Sequence, residues 1–220
     1  YQAALADDRA FQKRYMADVP VTDSKFRKQT GTLSTDEGIF PTTAEGLAKL
    51  KPVKEGGTVT FGGQTHPADG NAGAIVTTRE RARAVATDPG IEIEILGFGM
   101  SRVEAGYMPM APSPAAFNAL KNAGLSISDV VAIKTHNPFA VNDIALARDT
   151  GFAWERMNNY GSSIIWGHPQ APTGMRAIIE LIEELVLRGG GVGLFTGCAA
   201  GDTGYATVIR VTDRKTTSKA

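Results

Sequence analysis

The stretch "NNYGSSIIWGHPQAPTGMRAIIELIEELVLRGGGVGLFTGCAAGDTG", Asn158 to Gly204, contains one of the chain's three histidines and its only cysteine. Between those two side chains Met175, Ile178, Ile179, Ile182, Leu185 and Val186 recur at helical spacing. That periodicity predicts a helix over Thr173–Arg188 with one apolar stripe. Leu181 and Leu187 widen the stripe, so the helix is expected to be buried. Its glutamates read as a solvated face. "GVGLFTG" follows as a strand and "YATVIRV" as another. His168 and Cys198 therefore stand at the two ends of a buried spacer.

Working outward, "VVAIKTH" reads as a buried strand ending at His136, with a helix over roughly Asn142–Arg148 behind it. "SPAAFNALKNAG" carries helix signals at both ends: Ser113 can cap it, Pro114 suits its first turn and Gly124 its exit. In "IEIEILGFGM" Ile91, Ile93 and Ile95 alternate with Glu92 and Glu94, the pattern of a half-exposed strand. "TVTFGG" (Thr58–Gly63) and "GAIVTT" (Gly73–Thr78) look like strands, and "RERARAVA" looks helical. Residues 1–56 are polar and irregular, an excursion over the surface with short helices near Ala3–Met16 and Thr43–Leu50. Strands and helices mix throughout, so the class is α/β. Two adjacent strands at the end argue against a purely alternating βα order.

Composition narrows the function. Lys+Arg and Asp+Glu both number 23 in 220 residues, and no basic block stands out. Such a neutral chain gives no footprint for nucleic acid or an anionic membrane. No run of about 18 apolar residues exists, so no helical span is expected. One cysteine cannot form an internal disulfide, which fits a reducing cytosol. The chain begins at Tyr1 rather than Met, and its start does not read as a signal peptide.

Three positions carry candidate chemistry. His168, in "WGHPQAPTG", lies on a loop leading into a helix, where α/β folds commonly build sites. It reads as a general base or as a satisfied buried histidine. Cys198 ends a strand and is followed by "AAGDTG", whose small residues let a ligand approach the backbone. Amide N–H groups in that turn could hold a developing oxyanion, while the bland alternative is a small buried hydrophobe. His136 sits at a strand tip because Asn137-Pro138 breaks the strand. Neither G-x-G-x-x-G nor the P-loop pattern appears, nor the G-x-S-x-G elbow. His66, His136, His168 and Cys198 lie 30 or more residues apart, which argues against zinc, and no metal is expected.

"TTAEGLAKLKPV", "GGTVTFG", "THNPFAVND" and "GHPQAPTGMRAIIELIEELVLRGGGVGLFTGCAAGDTG" together resemble the C-terminal half of a thiolase, over about Thr42–Val211. The resemblance implies a thiolase-fold C-terminal half, with a mixed five-stranded sheet sandwiched by helices, plus part of the loop domain. It divides the chain into residues 1–56, the end of a coenzyme A-covering loop region; 57–90, the last strands and helix of an N-terminal half; and 91–220, the C-terminal domain. It implies acyl exchange between coenzyme A and an enzyme cysteine, with coenzyme A thioesters as substrates and no resident cofactor. His168 matches the histidine that acts as base toward the nucleophilic cysteine and helps form one oxyanion hole. Cys198 matches the acid/base cysteine, and His136 the Asn or His that completes that hole. Ala200 is placed to donate a backbone N–H to the second hole, and Pro67, Gly167 and Gly201 to contact substrate.

The pattern departs from the family at three places. C-x-G-G-G reads Cys198-Ala199-Ala200-Gly201-Asp202, the E-A after His136 is Asn137-Pro138, and Pro67 stands where a serine usually meets the acyl-pantetheine. The family's nucleophilic cysteine belongs to an N-terminal half, so this chain alone is expected to be inactive. A homodimer or tetramer is implied. The competing reading is a non-catalytic thiolase-like module for acyl-CoA binding or assembly, favoured by Pro67 and Ala200. A decarboxylating ketoacyl synthase would lack Cys198.

Overall fold

The computed structural model describes residues 1–217. Its centre is a four-stranded mixed sheet in the order β3-β6-β5-β4, built from β3 (Ile91–Arg102), β4 (Val130–His136), β5 (Gly190–Ala199) and β6 (Thr203–Asp213). β6 runs antiparallel to both its neighbours, and β4 and β5 are parallel. The parallel pair needs a long crossover. It is supplied by the helices α5 (Ala140–Thr150), α6 (Ser163–Trp166) and α7 (Ala171–Leu187). The helix α4 (Pro112–Ala123) joins β3 to β4.

Helices cover both faces of the sheet. One core joins Ala115, Ala116, Ala119 and Leu120 of α4 to Ile133, Leu146, Leu194, Ala206 and Val208. The other packs Ala177, Leu181 and Leu185 of α7 on Ala132, Phe195 and Val211. The alanines let α4 lie close to the strands. A methyl added at Gly99 would sit 2.2 Å from the Ala115 carbonyl oxygen and 2.4 Å from the Ala119 nitrogen. Gly124, with φ +67, ends α4 in the left-handed conformation its position predicts. Pro112 and Pro114 both lie in its first turn, and Ser113 is buried without making a side-chain cap.

Four expectations change. The sheet of the C-terminal domain has four strands among the described residues, not five, and residues 58–63 and 73–78, read as strands of the preceding segment, find no ladder partner. Phe61–Gly63 forms a 3-10 turn, and Ile75 and Val76 are 86% and 74% exposed. An apolar run without a neighbouring strand cannot satisfy its backbone as a strand. The first helix, α1 (Gln2–Arg9), is broken at Ala6–Asp8, and a 3-10 turn over Gln12–Arg14 follows. Asp7 and Asp8 adopt positive φ, which no continuous helix accommodates.

The third change concerns β3. The half-exposed strand that its alternation predicts is present, but the more exposed side is that of the isoleucines: Ile93 and Ile95 are about half exposed. Glu92 is instead held by Arg79, Arg83 and Arg214, and Glu94 by Arg79. A bulge at Leu96 then shifts the register, so Phe98 and Met100 continue the same exposed face while Gly97 and Gly99 turn to α4. α7 packs on β4, β5 and β6, and leaves the β3 end of its own face uncovered.

The fourth concerns α7. Glu180 and Glu184 are each 1% exposed rather than solvated. Glu180 pairs with the equally buried Lys134 of β4, and accepts from Arg176 at 3.0 Å and from the Tyr15 hydroxyl at 2.6 Å. Glu184 takes Asn159 Nδ2 at 2.7 Å and Arg188 at 2.8 Å. The helix presents a polar seam beside its apolar stripe, and that seam receives the N-terminal segment. Asp36 meets Arg176 at 2.9 Å, and Phe11 stacks on Tyr160 with ring centroids 3.8 Å apart.

Candidate active site

Strand geometry brings the candidate residues together. β4 and β5 are parallel neighbours, with His136 opposite Gly197. The end of β4 therefore places His136 beside the end of β5, which carries Cys198. His168 arrives from the loop before α7, whose backbone is fixed by a 2.8 Å hydrogen bond from its N–H to the His66 carbonyl. Gly167 has φ +93, and a methyl there would press on Ala68 Cβ at 2.7 Å and His66 Nε2 at 3.0 Å. Only glycine fits that approach.

His136, His168 and Cys198 line one cleft of about 300 Å³, with Gln64, Thr65, Met108, Pro138, Phe139, Ala199 and Ala200. The two imidazoles are neighbours, with ring centroids 4.3 Å apart and planes inclined by 31°. Pro67 is exposed and pairs by backbone with His168, so it lies outside the lining. Gly167 and Gly201 flank the lining residues His168 and Ala200 in the chain. His66 lies outside the lining and holds the His168 backbone through its carbonyl.

Each reactive group has a fixed partner. Thr173 Oγ1, buried in the first turn of α7, lies 2.7 Å from His168 Nδ1. Ser163 Oγ lies 2.8 Å from His136 Nδ1 and also accepts the Asn137 N–H at 3.1 Å. With each Nδ1 engaged, each ring has its Nε2 left for other contacts. Asn142 Nδ2 reaches Cys198 Sγ at 3.5 Å. Behind them Asp143 is a half-buried carboxylate bound by Thr135 Oγ1, Asn137 Nδ2 and Asn158 Nδ2 at 2.7, 2.6 and 3.1 Å. Asn137 accepts the Ile164 N–H as well, so the loop after His136 is braced although its glutamate and alanine are replaced.

Burial governs the protonation states. It pushes His136 down to about 4, helped by the neighbouring His168, and lowers His168 in the same sense. Both imidazoles are neutral at pH 7, each able to donate one N–H or accept one proton. Burial raises the Cys198 thiol above its ordinary value, and the Asn142 hydrogen bond opposes that rise. Burial likewise raises Asp143 against its three hydrogen bonds. The cleft thus holds a thiol that keeps its proton at rest, beside two neutral bases and no lining lysine, arginine or carboxylate.

Sequence reading missed Asn142, Asp143, Ser163 and Thr173. The available signal was position: each is a small polar residue in the first turn of a helix. Among the described residues no group of three or more His, Cys, Asp or Glu is arranged to hold a metal, and no helix is long and apolar enough to cross a membrane.

Residues 91–211 match the family model described as thiolase, C-terminal domain. An acetyl-CoA acetyltransferase of Syntrophomonas wolfei is 36% identical over 194 residues, covering 87% of this chain and 48% of the relative. The solved acetyl-CoA acetyltransferase of Bacillus anthracis superposes with TM-score 0.84 at 27% identity, over 96% of this chain and 52% of that one. Human mitochondrial 3-ketoacyl-CoA thiolase, solved in complex with CoA, gives TM-score 0.80 at 29% identity, over 96% and 51%. The chain spans about half the length of the curated relatives it matches.

Proposed function

The chain belongs to the thiolase family, and from that premise we propose that it forms the C-terminal part of an acyl-CoA C-acyltransferase. The observation that carries this reading is the convergence of His136, His168 and Cys198, from separate strand ends and a loop, on one cleft. In the reaction a second cysteine is the nucleophile. Cys198 is the only cysteine in these 220 residues, so that thiolate comes from outside them. His168 takes the nucleophile's proton, and the freed thiolate attacks the 3-oxo carbon of a 3-oxoacyl-CoA. The Nε2–H that His168 gains with that proton and an N–H of His136 are suited to hold oxyanions in the cleft, and His168 returns the proton to the nucleophile when the acyl group leaves.

As the carbon–carbon bond breaks, its electron pair stays with the departing acetyl-CoA enolate, and the Cys198 thiol gives that carbon a proton. Its raised pKa favours the protonated starting form this step requires. The Cys198 thiolate then accepts the proton of an incoming coenzyme A thiol, whose sulfur takes the acyl group from the enzyme thioester. Ala200 N–H serves as donor for that second oxyanion. Condensation is the same sequence in reverse. No metal or resident cofactor enters any step, and the CoA complex of the human relative supports coenzyme A as ligand.

We place residues 1–56 in a coenzyme A-covering loop region, 57–90 with the N-terminal half and 91–220 in the catalytic C-terminal domain. Pro67, Gly167 and Gly201 are assigned to substrate contacts, with Pro67 where the family's serine meets the acyl-pantetheine. The exposed face at Ile93, Ile95, Phe98, Met100 and Tyr205 is where the rest of the enzyme packs. The intact protein is a homodimer or tetramer working in the cytosol, an assignment the unpaired Cys198 supports.

The test is mass spectrometry of the acyl-enzyme alongside turnover in the full-length protein. His168→Ala abolishes both acylation and turnover. Cys198→Ala still acylates from an acyl-CoA but loses about 10²–10⁴-fold in turnover. Normal turnover in Cys198→Ala would end this mechanism and leave Cys198 as a buried small residue.

A further inference from the structure

Cys198 ends β5 in a pocket where burial works against its ionised form, yet the proposed cycle passes through the thiolate. The titratable groups facing it in the cleft are His136 and His168, both neutral at pH 7. Acidic side chains on the adjoining elements are committed elsewhere: Asp143 of α5 to Thr135, Asn137 and Asn158, and Asp202 of the β5–β6 turn to the Gly106 N–H. No cation lines the cleft. Stabilisation of a sulfur anion must then come from neutral donors.

The amide of Asn142 has one allowed orientation. Its Oδ1 accepts the Phe139 N–H at 3.1 Å, in the capping turn that opens α5. Its Nδ2 lies 3.5 Å from both the Pro109 carbonyl oxygen and Cys198 Sγ. Turning the amide over would set NH2 against a backbone N–H and oxygen against a carbonyl oxygen. That arrangement breaks both backbone contacts at once. Asn142 is 2% exposed, so water cannot substitute for any of them. One N–H is thereby aimed at the sulfur by the same hydrogen bond that shapes the loop after His136.

We propose that Asn142 is a positioning residue for the acid/base step, the donor that orients the Cys198 sulfur and stabilises its thiolate. The proposal rests on the acid/base reading of Cys198. N–H···S⁻ is a charge-assisted bond and strengthens as the proton leaves, whereas the neutral thiol gains little from it. The donor therefore narrows the gap between acid and base forms that burial opens. A single residue couples two parts of the site, since loosening its Oδ1 contact would also release Phe139.

The experiment is the pH dependence of iodoacetamide alkylation at Cys198 in the full-length protein, followed by peptide mapping, which needs no turnover. Asn142→Asp keeps the acceptor for the Phe139 N–H but exchanges the donor for a carboxylate whose charge also opposes the thiolate, so a shift confined to this variant would trace to that charge and overturn the proposal. Asn142→Ala removes both. In each, the apparent pKa of Cys198 should rise by about 1 unit, slowing alkylation about tenfold at a fixed pH below it. An unchanged profile in Asn142→Asp overturns the proposal, as does a shift confined to Asn142→Ala, which would trace to the loop. Should Asn142→Asp fail to fold, an unmoved profile in Asn142→Ala overturns it equally. Turnover of Cys198→Ala tests the acid/base reading separately, so the two ideas can fail independently.

Discussion

Residues 1–90 and 91–213 obey different physics. In the second region strands pair, helices cover both faces, and nearly all of the buried apolar residues lie there. In the first, the only sheet is the exposed ribbon β1 (Val19–Thr22) and β2 (Gln29–Leu33), and the helices α2 (Ala44–Ala48) and α3 (Arg79–Val85) bury nothing. Phe26, Phe40 and Ile75 are 79–86% exposed. The first region is attached by particular contacts rather than by a shared core: Phe11 on Tyr160, Tyr15 on Glu180, Asp36 on Arg176, and backbone bonds from Thr65 to Pro138 and from His168 to His66. A chain can position cleft-lining residues such as Gln64 and Thr65 without owning a core there, provided the neighbouring region is rigid.

The sharpest way to break that contrast is to strike the ion pair under the attachment. Lys134→Ala leaves Glu180 with Arg176 as its remaining cation and its buried Oε2 unpaired, and should cost about 3–5 kcal/mol in urea unfolding of the second region. A loss below 1 kcal/mol would mean that the seam is wetter than its 1% exposure implies. Next comes acid. His136 has a folded pKa of about 4 against an ordinary 6.5, so the unfolded chain binds its proton first as pH falls. The stability contributed by neutral His136 is complete above about pH 6.5 and is lost as pH drops through 4, a swing of about 3 kcal/mol. Urea midpoints at pH 7 and pH 4 should therefore converge in His136→Asn relative to the parent protein.

Glycine substitutions compare the regions directly. Gly99→Ala forces a methyl into α4 and should cost about 1–3 kcal/mol. Gly31→Ala in β2 meets nothing within 4 Å and should leave the midpoint within about 0.5 kcal/mol. Equal effects would erase the distinction between them. An intermediate effect is expected at the hinge of the comparison. Tyr15→Phe removes one hydrogen bond to a buried carboxylate, about 1–2 kcal/mol. It should speed proteolysis within residues 1–90 while cleavage within 91–213 stays slow.

The elements legible in the sequence were those whose pattern and environment agree. The stripe of α7, the strands β4 to β6 and the Gly124 exit of α4 all follow from local periodicity plus one buried face. β3 misled because alternation reports which residues share a face, not which face has a cover. Ile93 and Ile95 share a face that no described element buries. Glu180 and Lys134 misled because charge at helix or strand spacing carries no mark of its partner, which here lies on another element. The site was read in the same uneven way. His136, His168 and Cys198 were visible as rare residues at strand ends and loops, and the structure brings them to one cleft. Asn142 and Ser163 were not, since their roles come from a hydrogen-bond orientation that only coordinates supply.

The pairing of β3 has a consequence for how the chain is made. Among the described residues its only sheet partner is β6, with Ile91 opposite Asp213 and Arg102 opposite Thr203. On a ribosome adding about 5–20 residues per second, β3 emerges some 5–20 seconds before the strand that closes it. Throughout that interval its backbone edge and the side chains of Ile93, Ile95, Phe98 and Met100 have no β-partner. Closure is the last topological event, set by long-range pairing rather than by helix formation. The newborn chain is then most dependent on chaperones while β6 is still inside the exit tunnel.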